Sequence, residues 1–423
     1  MMKKCFAVLL ILIFLIQTVP AYADTPDELD LSAESAVLID AVSGQVLYNK
    51  DMNKREYPAS ITKIMTTYLA AKEGQLKDDI TVTKSAIEVV PKDTSNIALV
   101  EGEQITCEQA LYASMLISAN DASNVLAEYI GGTIDSFAKK MTTTALEMGA
   151  VNTNFVNANG LHDENHYTTA YDMAKITMEA LKDPTFEKIF TTKDYTMNAT
   201  NKQEEQRKFS NQHRMMQLST YQDLGVIGGK AGTTTEAKNT LVTVAEKDGM
   251  RLIAVMMKCN DFNQMYRDTK KLIEYGYNNF SRATLNKDEI AKKTISIMRK
   301  KDIVAYTEVG PESDFSFILP KSLTTKDVQM KYTLSDTIQE GDKIEGEIEF
   351  YLPSVSDKIG SVKLVEISTK ANWSASRIIK LIFKIILYII LVLLGLFLLL
   401  LLTGRTYRAV KRRRKKIRIQ KTR

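Results

Sequence analysis

Cysteine and histidine are scarce in this 423-residue chain, which holds three of each. Cys5 falls in an apolar N-terminal stretch, while Cys107 and Cys259 sit in apolar helix-like and strand-like contexts. That placement predicts two buried thiols and argues against a disulfide framework. The histidines are His162, His166 and His213. The run His162-Asp163-Glu164-Asn165-His166 matches neither zincin spacing pattern, so it predicts a loop, with no metal and no cofactor expected. No histidine–aspartate pair stands ready for a serine nucleophile, which leaves lysine as the default base. Acids are absent after Glu366, and no internal repeat or low-complexity segment occurs ahead of the basic C-terminus, which excludes a solenoid.

The two ends are informative for what they do contain. Met1-Met2-Lys3-Lys4, the apolar run from Phe6 to Ile16 and the small-x-small site Ala21-Tyr22-Ala23 read as a secretory signal peptide over residues 1–23. Ile385 to Leu402 carries no charged side chain, and a segment 381–402 is long enough to cross about 30 Å of hydrocarbon. In the tail, residues 403–423, 11 Lys and Arg stand with no acid. The positive-inside rule keeps that tail in the cytoplasm. A single-pass cell-membrane protein is predicted, with its large part on the extracytoplasmic side. The formal charge of +5 hides an acidic exterior, because all 51 acids lie between Asp24 and Glu366. That argues against nucleic acid or another polyanion as partner.

Residues 24–282 alternate strand-like and helix-like patterns, which predicts an α/β (α+β) domain with an antiparallel sheet packed by helices. Within it, Asn239–Ala245 and Met250–Lys258 flank Lys247-Asp248-Gly249 as a hairpin, and a helix from Tyr266 to Tyr277 closes the sheet. Residues 283–372 change character. The short β-favouring runs Thr294–Met298, Phe315–Leu319, Lys343–Tyr351 and Ser361–Ile367 predict a small β-rich domain, without a catalytic constellation, serving as a stalk or partner-contact module.

Three short motifs follow one another in the first domain. Ser60-Ile61-Thr62-Lys63 comes after Tyr57-Pro58-Ala59 and opens a run of helix formers, which places Ser60 and Lys63 one turn apart on one helix face. A serine hydroxyl needs a neighbouring base, and a lysine serves once burial and nearby positive charge pull its pKa down from about 10. Ser118-Ala119-Asn120 forms a short loop between two apolar helices. Alone it reads as a cap, with Asn120 or Asp121 at N-cap. In a catalytic reading Ser118 passes a proton between Lys63 and a leaving amine, and Asn120 orients Lys63 and a substrate amide. Lys230-Ala231-Gly232 lies on a Gly-rich strand beside the hairpin, where a substrate backbone can approach and Lys230 can meet a carboxylate. Each motif alone is weak: Ser136-Phe137-Ala138-Lys139 also reads S-x-x-K, in what looks like an ordinary helix start.

As an ordered set, together with Ala36–Leu47, Asn159-Gly160-Leu161-His162 and His166–Asp172, these motifs resemble the low-molecular-mass penicillin-binding proteins of the D-alanyl-D-alanine carboxypeptidase (serine peptidase S11) family. The resemblance implies a penicillin-binding, serine β-lactamase-like transpeptidase fold. It makes Ser60 the acylated nucleophile, Lys63 its base and Ser118 the proton relay. Asn120, Lys230, Gly232 and Thr233 line the substrate, with the backbone N–H groups of Ser60 and Thr233 as oxyanion hole. The substrate implied is a peptidoglycan stem peptide ending in D-Ala-D-Ala, with β-lactams as inhibitors. One departure stands out: the family usually carries Thr or Ser where Ala231 is. The lost hydrogen bond to a substrate carboxylate is worth about 1.5–3 kcal/mol, or roughly ten- to a hundredfold. Arg214 is the nearest arginine to serve that carboxylate. The other readings are a serine β-lactamase-like hydrolase, for which no E-x-x-L-N element is found, and a catalytically weakened wall- or penicillin-binding module.

Overall fold

A computed structural model describes residues 29–353, 358–372 and 375–420; the expected signal peptide lies outside them. The chain divides into two compact units. The first runs to Asn286 and takes in Ser313–Lys331 and Ile348–Val362. The second holds Lys287–Glu312, Tyr332–Glu347 and the chain from Lys363 on.

The first unit opens with strands β1 (Ser35–Asp40) and β2 (Val46–Lys50). Two short hairpins, β3 (Asp79–Thr81) with β4 (Gln104–Thr106) and β5 (Asp194–Met197) with β6 (Arg207–Ser210), stand apart from the main sheet. That sheet is completed by β7 (Val226–Thr234), β8 (Lys238–Lys247) and β9 (Met250–Cys259), in the order β2-β1-β9-β8-β7 and antiparallel throughout. Every residue of β1 is buried, as expected for a strand covered on both faces. Alternation sorts its side chains: Val37 and Ile39 join one apolar cluster, Ala36 and Leu38 the other. Asp248 and Gly249, at φ 52° and 75°, make the left-handed two-residue turn that the Asp-Gly pair signals between β8 and β9. The two edges of the sheet are β2 and β7.

One face of the sheet carries most of the helices: α1 (Lys63–Glu73), α2 (Lys84–Glu88), α3 (Cys107–Leu116), α4 (Asn120–Gly131), α5 (Ile134–Glu147), α6 (Ala170–Ala180) and α7 (Pro184–Phe190). Short α8 (Arg214–Gln217) leads toward β7, and α9 (Phe262–Asn279) covers the opposite face with Met265, Tyr266, Leu272 and Ile273. Most starts are capped as their sequences suggest: Thr106 and Gln109 form a capping box on α3, and Asp183 with Pro184 opens α7. Cys107 and Cys259 are free and buried.

The first unit also contains the antiparallel pair β10 (Phe280–Leu285) and β13 (Phe315–Pro320). The second contains β11 (Lys293–Arg299), β12 (Asp302–Pro311) and β15 (Thr337–Gln339), with β12 pairing antiparallel to β11 and to the distal part of β17 (Lys358–Ala371). The four expected β-runs overlap strands, although only Glu347–Tyr351 of the third is one. Helix α10 (Ala375–Gln420) follows, 46 residues or about 69 Å long. Its stretch Ile378–Arg414 is long and apolar enough to cross a membrane. The span and the basic tail as far as Gln420, separate in the sequence reading, are one continuous helix.

Candidate active site

A 3-10 turn, Ala59–Thr62, runs straight into α1 and sets Ser60 against Lys63. Lys63 Nζ lies 3.1 Å from Ser60 Oγ, as the spacing predicts. The lysine is fully buried and donates to Asn120 Oδ1 at 2.8 Å and to the Asn159 carbonyl at 2.5 Å. A neutral amine has two protons and one lone pair. With both protons on oxygens that only accept, the lone pair faces the Ser60 hydroxyl. Electrostatics favours that neutral form. Burial, then the Lys230 ammonium, hold Lys63 well below its ordinary 10.5, against the opposing pull of Asp121.

The second motif departs from simple capping. The N-cap of α4 is Ala119, whose methyl group can make no side-chain cap bond, while the polar side chains that follow it are engaged elsewhere. Asn120 turns to Lys63, and Asp121 accepts backbone N–H groups of Ile97 and Leu99. Ser118 sits at φ 63° in the left-handed region, a strained conformation for a residue with a Cβ. Its hydroxyl is buried and has no hydrogen-bond partner among the described residues.

The third motif lies on edge strand β7. Gly232 is indispensable to the close approach, since a Cβ there would stand 2.6 Å from Ser60 N and 2.7 Å from Thr240 Oγ1. Thr240 Oγ1 in turn donates to the Pro58 carbonyl at 2.8 Å, which ties the sheet to the turn bearing the serine. Lys230 is buried and donates to the Ala231 carbonyl at 2.9 Å, and burial lowers its pKa to about 7. Thr233 Oγ1 donates to Asn239 Oδ1 at 3.1 Å. Arg214 points elsewhere: its guanidinium stacks over Phe262 and donates to Asn263 on α9.

This geometry coincides with what sequence comparison finds. Residues 22–261 match the D-alanyl-D-alanine carboxypeptidase family. The chain belongs to that family. D-alanyl-D-alanine carboxypeptidase DacF of Bacillus subtilis is 33% identical over 360 residues, covering 81% of this chain and 89% of the relative. Penicillin binding protein 5 from Haemophilus influenzae superposes with a TM-score of 0.68 at 28% identity, over 80% of this chain and 97% of that one. The Streptomyces K15 DD-transpeptidase gives 0.55 at 30% identity, over 59% and 98%. The chain is therefore a serine peptidase by family, and the relatives lend no support to a β-lactamase.

In this carboxypeptidase fold the sequence reading missed a contributor. Asn159 supplies the second acceptor for Lys63 through its backbone, which no side-chain motif announces. Its loop is held by Asn157 Oδ1, which accepts from Gly160 N at 2.7 Å, and by Asn159 Nδ2 donating to Asn124 Oδ1 at 3.0 Å. Gly160, at φ 83°, would place a Cβ 1.9 Å from the Ala59 carbonyl. The Asn159-Gly160 pair was the available signal. His166 backs the turn: Val156 N donates to its Nδ1, so Nε2 carries the proton that Thr62 Oγ1 accepts at 2.8 Å. Burial lowers its pKa to about 3, so it stays neutral. His213, also buried and neutral, packs under β7 where Gly229 leaves room for its ring. Neither histidine belongs to a metal cluster among the described residues.

Proposed function

We propose that the protein is a penicillin-sensitive serine D-Ala-D-Ala carboxypeptidase that removes the terminal D-alanine from peptidoglycan stem peptides. The observation that carries the reading is Lys63 Nζ set between Ser60 Oγ and two carbonyl oxygens, Asn120 Oδ1 and Asn159 O. The stem peptide lies along edge strand β7 with its terminal carboxylate toward Lys230. Lys63 takes the proton of Ser60, which attacks the penultimate carbonyl. The resulting ammonium has three protons, and Ser60 Oγ, Asn120 Oδ1 and Asn159 O are three acceptors for them. The N–H groups of Ser60 and Thr233 stabilise the oxyanion. Ser118, whose hydroxyl has no partner among the described residues, hands a proton from Lys63 to the departing D-alanine. Water then releases the acyl-enzyme by the same base. A β-lactam acylates the same serine.

Helix α10 anchors the protein in the cell membrane as a single pass, with the basic tail in the cytoplasm and residues 24–282 and 283–372 outside as catalytic and β-rich domains. The test is acylation by a fluorescent penicillin beside Ser60→Ala and Lys63→Ala, followed by assay of D-alanine release. Labelling of wild type alone, with D-alanine released, is the expected result. Folded wild type that stays unlabelled at saturating probe sinks the reading.

A further inference from the structure

Asp121 is a buried carboxylate that the mechanism above does not use. Only 2% of it is exposed, and a charge withdrawn from water that far needs partners. Oδ1 accepts from Ala122 N at 2.8 Å and Ile97 N at 3.2 Å, and Oδ2 from Ile97 N at 3.0 Å and Leu99 N at 3.1 Å. Both oxygens accept only, which is the pattern of an ionised carboxylate. The segment thus gripped, residues 95–99, has no helix or strand of its own, and Ala98 sits at φ 56° with its N–H on Asn96 Oδ1. From the other side, Asn120 N donates to the Ser95 carbonyl at 2.8 Å. Asn120 is therefore fastened to that segment on both flanks. Its own side chain is left for Lys63.

We propose that Asp121 is the positioning residue of the catalytic base. Its carboxylate pins residues 95–99 to the first turn of α4, so that Asn120 Oδ1 takes one Lys63 proton and leaves the lone pair to Ser60. Its charge also stabilises the ammonium that forms when Lys63 takes the serine proton. The inference rests on Lys63 being the base, as proposed above. Around Lys63 the charged and titratable groups are Lys230 on β7, which opposes protonation, Asp121 on α4, which favours it, and His166, which is neutral. Burial pushes the Asp121 carboxyl above its ordinary range, against its backbone N–H donors. Asp121 is the one group of the three that makes room for a second positive charge beside Lys230.

The experiment measures the second-order rate constant for acylation of the full chain by a fluorescent penicillin from pH 5 to 10, for wild type, Asp121→Asn and Asp121→Glu, with melting temperatures alongside. Loss of the charge lowers the Lys63 pKa, so in Asp121→Asn the acid limb moves down by about half a unit or more. The plateau falls about tenfold or more as Asn120 loses its seat. Asp121→Glu keeps the acid limb of the wild type and loses only plateau. A merely structural role moves no limb, so folded Asp121→Asn with the wild-type limb overturns the proposal. Should Asp121→Asn fail to fold, a wild-type plateau in Asp121→Glu overturns it instead. Wild type that takes no label tells against Lys63 as the base, an outcome distinct from either.

Discussion

Lys63 and Lys230 are both buried, yet the proposed mechanism asks opposite protonation states of them. Lys63 must hold a lone pair, and Lys230 must hold a charge for the carboxylate of the substrate. With Lys230 near pH 7, kcat/KM for a carboxylate-terminated stem peptide should fall as pH rises through about 7, because kcat/KM reports the free enzyme. Lys230→Met should lose that alkaline limb along with most of its activity, and a limb that survives the substitution disproves the assignment. Stability carries the same signature. The native pKa of Lys230 lies below the unfolded value of 10.5, so between the two the unfolded chain binds more protons and stability rises with pH. The melting temperature gained by Lys230→Met over wild type should therefore shrink from pH 7 to pH 9 in calorimetry. Ala231 packs partly against the cluster that holds Met215 and Tyr266. Restoring a hydroxyl there, Ala231→Thr, should raise kcat/KM for D-alanine release by about tenfold, the worth of one charge-assisted hydrogen bond. No gain would mean that the carboxylate does not reach that position.

Elements meet at this site through glycines. Gly232 lets β7 touch the backbone of Ser60, and Gly160 lets the 157–161 loop touch the Ala59 carbonyl. Gly232→Ala should cut penicillin acylation by about a hundredfold, the cost of moving a reacting group by an ångström. Gly160→Ala should chiefly cost stability, about 1–3 kcal/mol from its left-handed backbone before the clash is counted. Denaturant titration and acylation kinetics separate the two, and equal losses on both readouts for both variants would contradict this division. At this scale the sequence was partly legible. Helical spacing put Ser60 beside Lys63, and Asp248-Gly249 marked its hairpin, because both signals are local. The start of α4 was not legible. Asn120 and Asp121 are good N-cap residues, but their side chains are drawn to Lys63 and to residues 97–99, partners that only folding brings within reach. Strands β12, β14 (Gln329–Tyr332) and β15 went unnamed for a related reason: short strands are defined by neighbours distant in sequence.

For the whole molecule, the apolar and basic segments form one helix, and anchoring should reside in it alone. A chain ending at residue 372 should move from the membrane pellet to the soluble fraction, with its penicillin acylation rate within about twofold of full length, since none of the catalytic groups lies in that helix. Retention in the pellet would require another anchor. Protease applied outside intact protoplasts should digest the catalytic part and spare the tail, and the reverse pattern would invert the proposed orientation.

From the sequence alone came the three ordered motifs, the proposed nucleophile and base, the antiparallel α/β architecture and the membrane-length segment. All of these depend on residue type, local period or composition. Tertiary structure decided that Lys63 is held well below its ordinary pKa, because desolvation and the Lys230 charge act across elements distant in sequence. It also decided that a backbone carbonyl, Asn159 O, accepts from Lys63, and that Asp121 reaches residues 97–99 as well as Ala122 N of its own helix. A carbonyl has no letter in a sequence, and the direction of a buried charge depends on what surrounds it.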